Sequence, residues 1–201
     1  MNRQPQPTLR LLGLAGSLRT RSFNHSLLEA GRELTPAGTT ITVYEHLADI
    51  PPFNEDLEAN PPLGVTRLRQ AMQAADGLLI ATPEYNQSVP GVLKNVIDWL
   101  SRSDPAQGLV GKPVAVIGAT PGPWGTRLAQ TQLRQILVAC QALLLPSPAL
   151  YLGDARAVFD EAGRLIDHET RDRLSGVIEA LVDWTRLLSR PSKIDVLSRA
   201  G

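Results

Sequence analysis

Five short, nearly unbroken apolar runs, separated by amphipathic stretches, constrain this chain more than any other feature. The first is Leu9-Arg10-Leu11-Leu12-Gly13-Leu14-Ala15. The second, residues 39–44, is β-branched (Thr-Thr-Ile-Thr-Val-Tyr), and residues 77–82, 113–119 and 142–146 complete the series. Runs of this length with little polar alternation are expected of strands buried on both faces, as in a parallel sheet covered by helices. The intervening stretches supply such helices. Residues 22–34 carry Phe23, Leu27, Leu28 and Leu34 as a stripe, residues 65–75 carry Leu68 and Met72, and residues 92–100 carry Val92, Val96 and Trp99. Residues 128–140 are helical by pattern, and residues 168–188 form a long amphipathic helix with Leu174, Val177, Ile178, Leu181 and Val182 inward.

Strand–helix alternation with right-handed crossovers gives an α/β domain, a doubly wound five-stranded parallel sheet of order 2-1-3-4-5 with helices on both faces. The 201 residues suit one domain, taken as residues 1–190, followed by a polar tail at 191–201. In this architecture ligands bind beyond the carboxyl ends of the strands, at the switch point between strands 1 and 3. The loops after strands 1, 3 and 4 are therefore where chemistry is expected.

Charge narrows the function classes. Twenty Lys and Arg balance twenty Asp and Glu. A nucleic-acid binder that works by counterion release needs a basic excess, and an acidic carrier docking on basic partners needs the opposite. The one cysteine, Cys140, excludes an internal disulfide and a cysteine-rich metal site, and suits a reducing compartment. No run of about 18 apolar residues is present to span a membrane, and no secretory h-region follows the start. The expectation is a cytoplasmic domain.

The first loop, Gly16-Ser17-Leu18-Arg19-Thr20-Arg21-Ser22-Phe23-Asn24, crowds hydroxyls, an amide and an arginine at a helix start. Exposed N–H groups and the helix dipole favour an anion there, with Ser17, Ser22 and Asn24 as donors and Arg19 as a charge-assisted contact. Helix capping accounts for one of these residues, not all. The loop is neither a Walker P-loop nor a dinucleotide fingerprint, so a mononucleotide phosphate fits it best. The second loop, Pro83-Glu84-Tyr85-Asn86-Gln87-Ser88-Val89-Pro90-Gly91, is stiffened by two prolines and suits a platform for a flat heterocycle, with Tyr85 stacking or shielding. The third, Thr120-Pro121-Gly122-Pro123-Trp124-Gly125-Thr126, allows close backbone approach, and Trp124 is either an exposed aromatic or a plug over the sheet end.

The remaining polar residues read as structural. His25, His46 and His168 lack carboxylates or cysteines at ligand spacing and are taken as surface or capping groups. Cys140 is taken as buried and inert, and the glutamates and arginines of 154–173 as a solvated face. Lys94 and Asp98 form a local i,i+4 pair, with Trp99 beside them in core or interface.

Together the motifs Gly16-Ser17-Leu18-Arg19-x-x-Ser22-x-Asn24 and Pro83-Glu84-Tyr85-Asn86-x-Ser88-x-Pro90-Gly91-x-Leu93-Lys94-Asn95-x-Ile97-Asp98-Trp99 resemble the NADPH-dependent FMN reductase family, which has the flavodoxin-like fold. Gln132-Leu133-Arg134-Gln135-Ile136-Leu137 and Phe159-Asp160-Glu161-x-Gly163-Arg164-Leu165 extend the likeness. Within the family it is nearest to the chromate- and quinone-reducing flavoenzymes.

The resemblance implies FMN as cofactor and NADPH or NADH as electron donor. It implies that Ser17, Arg19, Ser22 and Asn24 hold the FMN phosphate. Pro83, Glu84, Tyr85, Asn86 and Ser88 would line the isoalloxazine, and Thr120, Gly122 and Gly125 would lie on its other side. It also implies a homodimer or a tetramer of two dimers, with the helix of Lys94 near the contact and the Pro-rich residues 50–62 reaching toward the partner. Pro121, Pro123 and Trp124 depart from the family's more glycine-rich third loop. The implied activity is two-step reduction of a small acceptor, such as a quinone, an azo compound, chromate or free flavin, with no obligatory protein acid or base. The alternatives are a flavodoxin-type electron carrier, disfavoured by zero net charge, and a module that has lost its cofactor.

Overall fold

A computed structural model describes residues 8–102 and 108–189; the tail expected at 191–201 lies outside the described residues. Six strands and six helices follow in the order β1 (Leu9–Ala15), α1 (Phe23–Glu33), β2 (Thr39–Val43), α2 (Leu63–Ala74), β3 (Gly77–Ala81), α3 (Gly91–Ser101), β4 (Pro113–Ala119), α4 (Arg127–Ala139), β5 (Leu143–Leu144), β6 (Leu150–Leu152), α5 (Ala155–Val158) and α6 (His168–Leu188). All pairings are parallel, and the order is β2-β1-β3-β4-β5.

The expected fifth strand is in fact two. Val114 of β4 pairs with Leu78 of β3 and with Leu144 of β5, while Ile117 pairs with Ala81 of β3 and with Leu150 of β6. β5 and β6 thus follow one another along the same edge of β4. Pro146 and Pro148 lie between them and have no N–H to offer the ladder.

The sheet has two buried faces, and strand alternation assigns side chains to them. Leu11, Leu79, Ala115 and Ile117 pack with Leu27 and Leu28 of α1 and with Leu174, Ile178 and Leu181 of α6. Leu12, Leu78, Ile80, Val114 and Val116 pack with Leu68 and Met72 of α2, with Leu93, Val96, Ile97 and Trp99 of α3, and with Leu133 and Leu137 of α4. Both faces being covered explains why β3 and β4 are buried at every position, whereas β2, at the edge, alternates between buried and exposed residues. Among the described residues, no helix is long and apolar enough to cross a membrane.

Two further contacts bear on the site. Trp99 is fully buried, which places it in the core, and its Nε1 donates to Pro51 O at 2.9 Å. Asn95 donates to Pro51 O at 2.9 Å and accepts from Phe53 N at 2.7 Å. The start of the Pro-rich segment is thereby folded onto α3 of its own chain, with Phe53 edge-on to Trp99 at 5.0 Å. On the outer side of α3, Lys94 Nζ lies 2.6 Å from Asp98 Oδ1, the expected local pair.

Candidate functional site

The loops after β1, β3 and β4 meet past the carboxyl ends of the strands. Between the first two, Ser17 Oγ lies 3.2 Å from the Tyr85 hydroxyl. Ser17 Oγ also accepts from Arg19 N at 3.4 Å, curling the first loop. The Arg19 guanidinium donates to Arg21 O and sits 5.5 Å from the Phe23 ring centroid. Ser22 is the N-cap of α1, its hydroxyl accepting from His25 N at 3.4 Å. Asn24 is buried, and its amide is engaged at both ends: Nδ2 donates to Ala119 O and Oδ1 accepts from Ala119 N, each at 2.9 Å. Ser22 thus fills the capping role that the sequence allowed one of these residues, while the tie of Asn24 to Ala119 is one that spacing along the chain does not disclose.

The second loop is a tight hairpin turn. Tyr85 N donates to Ser88 O at 3.2 Å and Ser88 N to Tyr85 O at 3.0 Å. Asn86 and Gln87 between them have φ of 52° and 62°, as a two-residue type I′ turn requires, and Asn tolerates that region well. Helix α4 pins this turn from outside. Glu84 Oε2 accepts from Leu128 N at 2.9 Å and Ala129 N at 3.0 Å, capping the first turn of α4 with a carboxylate. Gln132 Oε1 accepts from Ser88 Oγ at 2.8 Å, and its Nε2 donates to Gln87 O at 2.9 Å. Gln132 was legible only as part of a helix motif; its contact with the second loop spans 44 residues.

The third loop is tied to the split edge strand. Thr120 N donates to Leu152 O at 3.0 Å, Ala155 N to Thr120 O at 3.1 Å, and Asp154 N to Gly122 O at 3.0 Å. The Thr120 hydroxyl accepts from Gly122 N at 3.4 Å. Gly125 has φ +68°, and a Cβ there would stand 3.1 Å from the Tyr151 backbone, so only glycine suits it. At the end of β4, a Cβ on Gly118 would fall 2.3 Å from Thr82 O, which sets the close approach of β4 to the second loop. Trp124 is 81% exposed, so it is not a plug over the sheet end.

The donor set fits a flavin mononucleotide. The first loop offers a hydroxyl, a guanidinium and a helix N-terminus to a dianionic phosphate. The second and third loops offer a rigid, glycine-permitted ledge for a flat ring system. Helix α4, by contrast, has its N-terminus filled by the Glu84 carboxylate.

A family model described as NADPH-dependent FMN reductase matches residues 9–157. The chain belongs to this family. It is 43% identical over 181 residues to an NAD(P)H-dependent FMN reductase of Pseudomonas aeruginosa, covering 90% of this chain and 97% of that one. It is 39% identical over 179 residues to a quinone reductase of Escherichia coli K12, covering 88% and 95%. Among solved structures, it is similar to FerB of Paracoccus denitrificans, a flavoenzyme NAD(P)H:(acceptor) oxidoreductase, with a TM-score of 0.81 at 35% identity over 89% of this chain and 98% of that one.

Other polar residues depart from expectation. His25 Nε2 lies 3.1 and 3.2 Å from the two carboxylate oxygens of Glu45, and His46 Nδ1 lies 3.3 Å from Asp49, so neither is without a carboxylate neighbour. The glutamates and arginines of 154–173 are exposed as expected, Arg171 alone being half-buried, and two aspartates of the stretch make structural contacts. Asp160 accepts from Arg164 N and Nε, both at 2.8 Å, and these bonds hold its carboxyl below the usual range. Asp167 caps α6 by accepting from Thr170 N at 2.8 Å. An open groove of about 1360 Å³ runs from the first loop at Arg19, Thr20 and Arg21 to Asp160 and Arg164, with Phe23 stacked on Phe159 at 5.6 Å along it. Cys140 is half-buried at the end of α4, and burial pushes its thiol up, with Asp98 adding to the effect. Arg102, at the end of α3, is paired with Glu55 at 2.6 Å and Glu58 at 2.7 Å.

Proposed function

We propose that this chain is an FMN-dependent NAD(P)H oxidoreductase that reduces small acceptors, quinones foremost. The observation that carries the reading is the convergence of three stiff loops at the sheet's carboxyl edge, joined by the Ser17–Tyr85 contact and braced against α4 through Glu84 of the second loop and Gln132 of the helix. Membership in the reductase family, and likeness to proteins named for FMN and quinone reduction, supply the chemistry.

In this reading Ser17 and Arg19 contact the FMN phosphate through their side chains. Ser22 and Asn24 serve it by fixing the start of α1, so that backbone N–H groups face the anion. Pro83, Glu84, Tyr85, Asn86 and Ser88 form the ledge under the isoalloxazine, with backbone N–H groups of the turn stabilising charge on the ring. Thr120, Gly122 and Gly125 line its other side, and exposed Trp124 flanks the acceptor's approach. The isoalloxazine held on this ledge would supply two-electron redox chemistry between nicotinamide and acceptor, and a quinone leaving as hydroquinone would gain two protons with the two electrons, one arriving with the nicotinamide's hydride and one from solvent. Positioning is the protein's share of the work, and none of these residues needs to act as an acid or base.

We further propose a cytoplasmic homodimer or dimer of dimers. Leu18, Tyr85, Trp124 and Leu128 leave apolar surface on or beside the three loops, of the kind a second copy covers. The single cysteine suits a reducing compartment. The deciding assay follows NADPH and NADH oxidation with a benzoquinone. Turnover supports the reductase; FMN bound with no turnover toward any small acceptor would favour the electron-carrier alternative.

A further inference from the structure

We propose that His25, Glu29 and Glu45 form a site for one divalent transition-metal ion, zinc being the best match. His25 and Glu29 are four residues apart on α1 and so share a face one turn apart. Glu45 follows the end of β2, which packs beside α1. The three side chains bring one ligand atom each within 4.8 Å of one another.

The spacing is that of a coordination edge. Tetrahedral bonds of about 2.0–2.2 Å place neighbouring ligand atoms about 3.3–3.6 Å apart. His25 Nε2 stands 3.1 Å from Glu45 Oε1 and 3.2 Å from Oε2, so the pair opens by only a few tenths of an ångström to admit an ion. An imidazole with two carboxylates favours zinc over magnesium or calcium, which prefer all-oxygen shells. Two carboxylates and a neutral imidazole also balance the ion's charge. The adjoining groove, which His25 and Glu29 line, leaves room for a water as fourth ligand. Two contacts compete with the ion: the His25–Glu45 hydrogen bond, which the ion replaces, and Arg32 on half-buried Glu29 at 2.5 Å, an i,i+3 pair of the kind that contributes little.

None of the three belongs to the proposed FMN ledge. The ion would bolt the first turns of α1 to the end of β2, just behind the phosphate loop. The test is calorimetric titration of the FMN-loaded full chain with zinc chloride, paired with thermal melting. One equivalent binds per chain and raises the melting temperature. His25→Ala and Glu45→Gln each lose at least about tenfold in zinc affinity and lose the thermal shift, while His46→Ala retains both. Glu45 is exposed, so its variant stays informative should His25→Ala fold poorly. Absence of saturable binding, or equal affinity in the parent and both variants, overturns the proposal.

Discussion

Asn24 shows how much a single buried amide can carry. It satisfies both the N–H and the C=O of Ala119, the last residue of β4, and so locks the start of α1 to the strand that feeds the third loop. Asn24→Ala would leave both groups unpaired, at about 1–3 kcal/mol each. The cofactor-free protein should therefore melt at a markedly lower temperature; an unchanged melt would mean that Asn24 acts only on the ligand. Arg19 is the contrasting case, exposed and held by its own loop. Arg19→Ala should purify with much less FMN while the apo-protein melts as the parent does. A variant as yellow as the parent would remove Arg19 from the phosphate site. Sequence reasoning found both positions because polar residues crowd a helix start. It could not tell a ligand from a bolt, because Ala119 lies 95 residues away from Asn24.

Caps divide the labour between elements in the same way. Helix α4 borrows Glu84 from the second loop, and the cap also fixes that loop's position. Glu84→Ala should weaken FMN binding and destabilise α4 together, whereas Glu84→Gln, which keeps an acceptor oxygen, should recover part of both. Helix α6 is capped locally by Asp167, whose bonds to Thr170 hold its carboxyl below the ordinary aspartate value of 3.8. A depressed carboxyl contributes stability that is present above the unfolded value and lost as pH falls through the folded one. Acid melting of the parent should therefore show a loss below pH 3.8 that Asp167→Asn lacks; identical acid profiles would contradict the assignment. The main helices and first four strands were legible from apolar period alone, their ends shifting by a residue or two. The split into β5 and β6 was not, because a two-residue strand carries no period, and neither was the one-turn α5.

At the scale of the molecule, the two-faced core and the switch point between β1 and β3 follow from strand–helix alternation, and they place every catalytic expectation at one edge of the sheet. Contacts across that edge, such as Ser17 with Tyr85 and Gln132 with Ser88, join residues 68 and 44 apart and were invisible to local spacing. The proposed two-step reduction, with donor and acceptor taking turns at the flavin, predicts parallel lines when quinone and NADPH are varied against each other; intersecting lines would require both bound at once. The most direct test of the whole account is the visible spectrum of the purified protein in an anaerobic cuvette. The account predicts a flavin band that bleaches on adding NADPH or NADH and returns on adding a benzoquinone. A protein that takes up no FMN, or whose bound flavin neither nicotinamide bleaches, would contradict it.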